Sequence, residues 1–176
     1  MYKVITISGK ARHGKDTFAE MIQHEYEIMG KTAKIVHYAD LLKYVARQYF
    51  DWDGEKDEAG RSLLQYIGTN LVRERDSDYW VKMLNFVIKM FFSDYDYVII
   101  PDTRFPNEIE FWKPGINCAD LTSVHIQRRG FESELTDEQK THASETALDG
   151  YRFDYYLYAV TLNDLQEMAF EFCQNI

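Results

Sequence analysis

Ser8-Gly9-Lys10-Ala11-Arg12-His13-Gly14-Lys15-Asp16-Thr17 follows a β-rich run from Tyr2 and precedes apolar residues at helical spacing, Phe18, Met21, Ile22, Tyr26 and Met29. The order is strand, glycine loop, helix. Gly9 to Lys15 matches the phosphate-loop pattern G-x-x-x-x-G-K in the context that gives that pattern meaning. Glycines let the backbone curl with its N–H groups inward, the helix presents its positive end, and Lys15 can reach the β and γ phosphates. Residues Gly9, Lys10, Ala11, Arg12, His13, Gly14, Lys15, Asp16 and Thr17 are therefore expected to hold ATP. Where the pattern has a Ser or Thr that ligates Mg2+, this chain has Asp16, with Thr17 next. Either Asp16 approaches the metal, directly or through water, or Thr17 takes over a phosphate contact.

A second strand over 33–38 follows Gly30 and completes a βαβ unit with a right-handed crossover. From Asp40 to Arg75 the pattern is helical and polar, with breaks near Asp53-Gly54 and Gly60, and predicts two or three helices. Trp80, Val81, Leu84, Val87, Ile88 and Phe91 form a helical stripe capped by Ser77 or Asp76. Tyr97 to Pro101 is continuously apolar, as in a strand buried on both faces, and ends at Asp102. Further strands are expected over 121–127 and 155–160, with a closing helix from Leu162 to Phe172. Between those strands, residues 128–150 are polar, show little periodicity and read as a lid. The alternation predicts one α/β domain over 1–176: a five-stranded parallel sheet of the P-loop NTPase type, helices on both faces, and ligands beyond the carboxyl ends of the strands.

Twenty Lys and Arg against twenty-nine Asp and Glu give a formal charge of −9, which argues against polymeric nucleic acid or anionic membranes as partners. Small anionic ligands must then be held by a few concentrated cations. Cys118 and Cys173 lack metal-ligand spacing, no apolar run is long enough to cross a bilayer, and the N-terminus enters a strand without a leader pattern. A cytoplasmic protein is expected.

Phosphoryl transfer between phosphates needs positioning and charge neutralisation more than covalent chemistry, so the cations carry the reading. Lys15 serves the β/γ phosphates. Arg128 and Arg129 open the lid-like stretch and are placed to close over the transferring group, unless they are a solvated surface pair. Asp102 ends its strand as a Mg2+-holding acid does, or caps the turn before Phe105-Pro106. Arg104 and Arg73 are candidates for the acceptor phosphate through bidentate contacts; a solvated pair with Glu74 or Asp76 would also explain Arg73. Gln65 has an amide suited to a base edge. Asp40 is either a general base for an alcohol acceptor or a helix N-cap. The guanine motif N-K-x-D is absent, which excludes the common GTPase pattern.

Gly14-Lys15-Asp16-Thr17 resembles the phosphate loop of bacteriophage and bacterial deoxynucleoside monophosphate kinases. The resemblance continues in order through Tyr38-Ala39-Asp40 with Leu42-Lys43, then Leu64-Gln65-Tyr66-Ile67-Gly68-Thr69 with Arg73 and Trp80. Asp102-Thr103-Arg104-Phe105-Pro106-Asn107-Glu108 is its most specific segment, and His142-Ala143-Ser144-Glu145 closes it. It implies ATP and Mg2+, a helical acceptor-binding region over about 40–76, a mobile lid, and Asp40, Lys43, Gln65, Arg73, Arg104 and Glu145 on the substrate side. A monomer or homodimer acting on free nucleotides would be expected, in the host cytoplasm if phage-encoded. Two other functions fit the phosphate loop: a kinase of hydroxyl acceptors similar to dephospho-coenzyme A kinase, with Asp40 as base, and a non-catalytic module that senses ATP.

Overall fold

The computed structural model describes residues 1–131 and 135–176. Strand β1 (Lys3–Ser8) sits at its centre, and the period-2 alternation of a strand sends Ile5 and Ile7 to one face and Val4 to the other. It pairs in parallel with β3 (Tyr97–Thr103) on one side and β4 (Asp120–Arg128) on the other. Strand β2 (Ala33–Ile35) lies outside β3, and β5 (Tyr155–Ala159) outside β4, giving the order β2-β3-β1-β4-β5. All four pairings are parallel, as the alternation of strands and helices predicts. The connection from β1 leads to β2 at one edge and the one from β3 leads past β1 to β4 on the other side, so the direction reverses and a crevice forms at the carboxyl ends of the strands.

Helices α1 (Lys15–Ile28) and α8 (Leu162–Asn175) bury Phe18, Ile22, Tyr26, Leu165, Ala169 and Phe172 on the Ile5/Ile7 face. Helix α4 (Tyr79–Phe91) covers the opposite face, where Trp80, Val81, Leu84 and Ile88 meet Val4, Val98 and Ile100. Both faces are thereby shielded, which is why β1 and β3 are apolar on both sides. Among the described residues no helix is long and apolar enough to cross a membrane.

Beside this core, α2 (Ala39–Tyr49), α3 (Glu58–Gln65) and a π-helical stretch, Tyr66–Arg73, close over a small cluster of Ala46, Trp52 and Ile67. Strand β2 is shorter than its sequence suggests. The Val36 N–H still donates to Ile99 O at 3.0 Å, but the N–H groups of Tyr38 and Ala39 donate to the Asp102 carboxylate at 3.0 and 2.9 Å. That carboxylate turns the chain into α2. Helix α4 starts later than expected: Asp76 accepts the Asp78 N–H at 3.0 Å and pairs with Lys82 instead of capping. A short helix, α5 (Pro106–Glu110), follows β3. The lid-like region holds two more, α6 (Asp137–Thr141) and α7 (Ala143–Thr146). Residues 132–134 of the expected lid lie outside the described residues.

Candidate functional site

The phosphate loop leaves β1 through Gly9, whose φ is 145° and where an added Cβ would stand 2.3 Å from Ile126 O. Only glycine passes there. Gly14, at φ 89°, precedes α1, which begins at Lys15. The Lys15 ammonium is buried and donates to Lys10 O at 2.8 Å, inside the loop. Burial first, and the nearby Arg104 second, bring it down to about 8, while Glu145, Asp16 and Asp102 oppose the shift. This lysine gives up its proton more readily than an exposed one.

Asp16, exposed in the first turn of α1, pairs with His37 Nε2 at 3.1 Å. That hydrogen bond lowers the carboxyl of Asp16 and raises the imidazole of His37. His37 Nδ1 also lies 3.6 Å from Asp40, and Asp40 accepts from Lys43 Nζ at 3.3 Å. Asp40 is thus exposed and engaged by cations, while Tyr38 occupies the N-cap position of α2 and Asp102 supplies the carboxylate. Asp102 caps a helix, but it is α2, far away in sequence, and not the turn that follows it.

Two buried carboxylates organise the arginines. Glu108 accepts from Arg73 Nη2 on one oxygen and from the N–H groups of Arg104 and Phe105, at 2.6 and 3.0 Å, on the other. Arg73 Nη1 is spent on Ser77 O and Asn107 Oδ1, and its guanidinium lies 4.0 Å from the Phe105 ring centre. Glu145 accepts from Arg104 Nη1 and, at 3.3 Å, from the Ala11 N–H of the phosphate loop. Its own carbonyl accepts from Lys10 Nζ. Glu145 therefore ties the loop to Arg104. His142 caps α7 by accepting the Ser144 N–H at 3.1 Å.

These elements enclose one cavity of about 760 Å3. The loop contributes Lys15 and Asp16; α2 contributes Lys43; α3 and the π-helical stretch contribute Gln65 and Arg73; the end of β3 contributes Asp102 and Arg104; α7 contributes Glu145. Arg128 and Arg129 do not line it. Both are exposed at the end of β4, over the rings of Phe131 at 5.1 Å and Tyr158 at 5.0 Å. Sequence reasoning passed over Glu108, although an acidic residue in the first turn of a helix opened by Pro106 can reach back to the N–H groups before it, and over His37, for which no local signal exists. It also passed over Lys56 and Arg61, which line the same cavity.

Among the described residues no three His, Cys, Asp or Glu side chains cluster as a closed metal cage. Mg2+ is commonly held by one or two carboxylates together with water and substrate phosphates. Asp16 and Asp102, on one cavity beside Lys15, fit such a donor set.

Residues 28–167 match the family model described as deoxynucleotide monophosphate kinase. The chain belongs to that family. It is similar to the deoxynucleotide monophosphate kinase of Enterobacteria phage T4, 37% identical over 91 residues that make up 50% of this chain and 34% of the phage protein. The protein of the same name from Escherichia phage RB69 is 37% identical over 86 residues, 47% of this chain and 32% of its own length. The matched segment thus spans about a third of these curated relatives. In three dimensions the chain resembles the APS kinase of Mycobacterium tuberculosis in complex with AMPPNP and APS, with a TM-score of 0.54 at 14% identity, covering 98% of this chain and 96% of the other. A mutant of that kinase gives 0.53 at 12% identity, covering 98% and 95%. At such identities the likeness establishes the P-loop NTPase-type fold. The phosphate loop precedes the family-matched segment, so its assignment rests on its own pattern and geometry.

Proposed function

We propose that the chain transfers the γ-phosphoryl group of ATP to a deoxynucleoside monophosphate, yielding the diphosphate and ADP. One observation carries this reading: the phosphate loop opens onto the same cavity as a wall of cations from α2, α3 and the end of β3. Seven Lys and Arg side chains line that cavity beside six Asp and Glu, in a chain of net charge −9. A module that only binds ATP has no use for a second cationic wall.

In this reading Lys15 neutralises the β and γ phosphates. Arg104, joined to Glu145 through Nη1, keeps Nε and Nη2 for the group in transfer. Arg73, its N–H groups largely spent, braces the acceptor wall. Gln65 lines the cavity and its side-chain amide makes no hydrogen bond among the described residues, which suits it to a base edge. Arg128 and Arg129 add charge at the rim on the ATP side. Mg2+, held by Asp16 and Asp102, would neutralise charge on the phosphates.

An alcohol acceptor would need a general base, and Asp40 is a poor one: it is exposed, paired with Lys43 and outside the cavity lining. A monophosphate needs none, because it is already a nucleophile. Residues 1–176 would act as one kinase unit on free nucleotides in the cytoplasm. Coupled detection of ADP release from ATP and Mg2+ tests this, with the four common deoxynucleoside monophosphates, their ribose counterparts and dephospho-coenzyme A as acceptors. Turnover with at least one deoxynucleotide is expected; turnover with dephospho-coenzyme A alone would overturn the reading.

A further inference from the structure

The Glu145 side chain is 5% exposed and stands between the phosphate loop and the end of β3. One oxygen accepts from Arg104 Nη1, the other from the Ala11 N–H of the loop at 3.3 Å. Its charge also reaches Lys15, where it helps to keep the proton on the ammonium. The placement is not left to the side chain alone. Lys10 Nζ donates to the Glu145 carbonyl and pairs with Asp149 at 2.6 Å, while Arg104 Nη1 also donates to Ser144 O at 3.1 Å. His142 fixes the start of α7 through the Ser144 N–H at 3.1 Å and the Ser144 hydroxyl at 2.9 Å. Helix α7 is therefore clasped from the loop on one side and from β3 on the other.

A carboxylate does not hold a phosphate, but it can take a phosphate's place. Inward N–H groups flanked by ammonium and guanidinium groups form an anion site, and Glu145 makes with it the contacts that a phosphate oxygen makes. Which phosphate it would displace follows from the direction of the loop. The inner phosphates of a triphosphate rest on the N-terminus of α1, where the backbone N–H groups and the helix dipole favour them. The terminal one must extend toward the acceptor, and from Gly9 to Thr17 the residues that face that cavity are Ala11, Arg12, Lys15 and Asp16. The Ala11 N–H thus lies on the path of the terminal phosphate, and Glu145 stands on it.

We propose that Glu145 is an internal counter-anion of the phosphate loop, which competes with the terminal phosphate of ATP and not with the inner ones. Binding of ATP moves one carboxylate oxygen off Ala11 while Arg104 retains the other, and transfer of the phosphoryl group lets it return. The competition weakens ATP relative to ADP, so binding energy that would only hold ATP in the ground state is withheld. The proposal rests on the kinase reading above.

Glu145→Gln keeps the shape of the side chain and removes its charge. Equilibrium titration of wild type and variant with AMPPNP and with ADP, each with Mg2+, gives an affinity ratio that isolates the terminal phosphate. The ratio is expected to rise about tenfold in Glu145→Gln, through tighter AMPPNP with ADP unchanged. In steady state KM for ATP falls together with kcat, the pattern of a ground-state repulsion removed. Glu145→Asp supplies the same comparison if Glu145→Gln does not fold: it keeps the charge beside Arg104 but is one methylene too short to span Arg104 and Ala11, and the ratio rises by a smaller factor. An unchanged ratio, or a loss of affinity for both nucleotides, overturns the proposal and leaves the kinase reading standing. Wild-type protein that binds neither AMPPNP nor ADP removes both.

Discussion

Arg73→Ala tests whether the acceptor wall is braced by a buried ion pair. Glu108 is 2% exposed and the Arg73 side chain 10%, so truncation strands a carboxylate that water barely reaches. Removing one partner of a buried pair costs about 3 to 5 kcal/mol. The lower end applies, because Glu108 keeps the N–H groups of Arg104 and Phe105 and can take up a proton. Burial raises its carboxyl from 4.5 to about 7, against the lowering influence of Arg73. A carboxyl raised on folding contributes stability that is complete below about 4.5 and lost as pH climbs through about 7. Without Arg73 the carboxyl rises further, so the damage grows with pH. Urea denaturation should register a loss of about 3 kcal/mol near pH 8.5 and distinctly less near pH 5.5. Glu108→Gln and the double variant complete the cycle, with a coupling of about 1.5 to 3 kcal/mol. A loss that is the same at both pH values would refute the argument, since it would come from packing over Phe105 and not from charge.

Lys15→Ala should lower turnover two to three orders of magnitude, about 3 to 4 kcal/mol, in a protein that still folds; near-wild-type turnover would take the phosphate loop out of the mechanism. In the wild type, ATP affinity should weaken as pH rises past about 8, where Lys15 loses its charge. Asp16→Ala should raise the Mg2+ concentration needed for half-maximal rate, and Asp16→Ser should recover part of it. If neither variant moves that concentration, Asp16 serves only to hold His37. Arg104→Ala should cut kcat/KM for the monophosphate about ten- to a hundredfold while AMPPNP affinity barely changes, the loss of one contact of about 1.5 to 3 kcal/mol. The reverse pattern would assign Arg104 to ATP.

The sheet and its phosphate loop were legible because their signals are local. A β-rich run, two glycines and a helical stripe lie within thirty residues, and Tyr97 to Pro101 could hardly be anything but a buried strand. What escaped was decided at long range. Strand β2 stops early because Asp102, 64 positions from Tyr38, captures the next N–H groups. Helix α5 has five residues, too few for a periodicity, and takes its start from Pro106 and Glu108. For Arg73 the sequence offers the acceptor's phosphate or, as the alternative, a solvated pair with a neighbour such as Glu74 or Asp76; the structure pairs it with Glu108, 35 positions away and buried. Lys56 and Arg61 carry no motif, and only the fold of their loop brings them to the cavity. Residues with local chemistry could be named in advance, whereas their partners could not.

The π-helical stretch has a consequence for which side chains share a direction. On an α-helix, residues four apart drift by about 40° at each step, so Arg61, Gln65, Thr69 and Arg73 would fan out over about 120°. The wider π turn, with i to i+5 hydrogen bonds and roughly 4.4 residues per turn, makes the same step fall short of a full circle by about 30°. One α step over Arg61 to Gln65, followed by two π steps, brings Arg73 back to within about 30° of Arg61. All four side chains line the cavity. Deleting a single residue between Tyr66 and Leu71 and restoring α geometry would leave seven steps of about 100° where there are eight of about 82°, rotating everything beyond by about 45° and shifting Arg73 off Glu108 while leaving Arg61 in place. The extra residue in that turn works as a rotational setting, and the sequence pattern Q-x-x-x-T-x-x-x-R has meaning only with it.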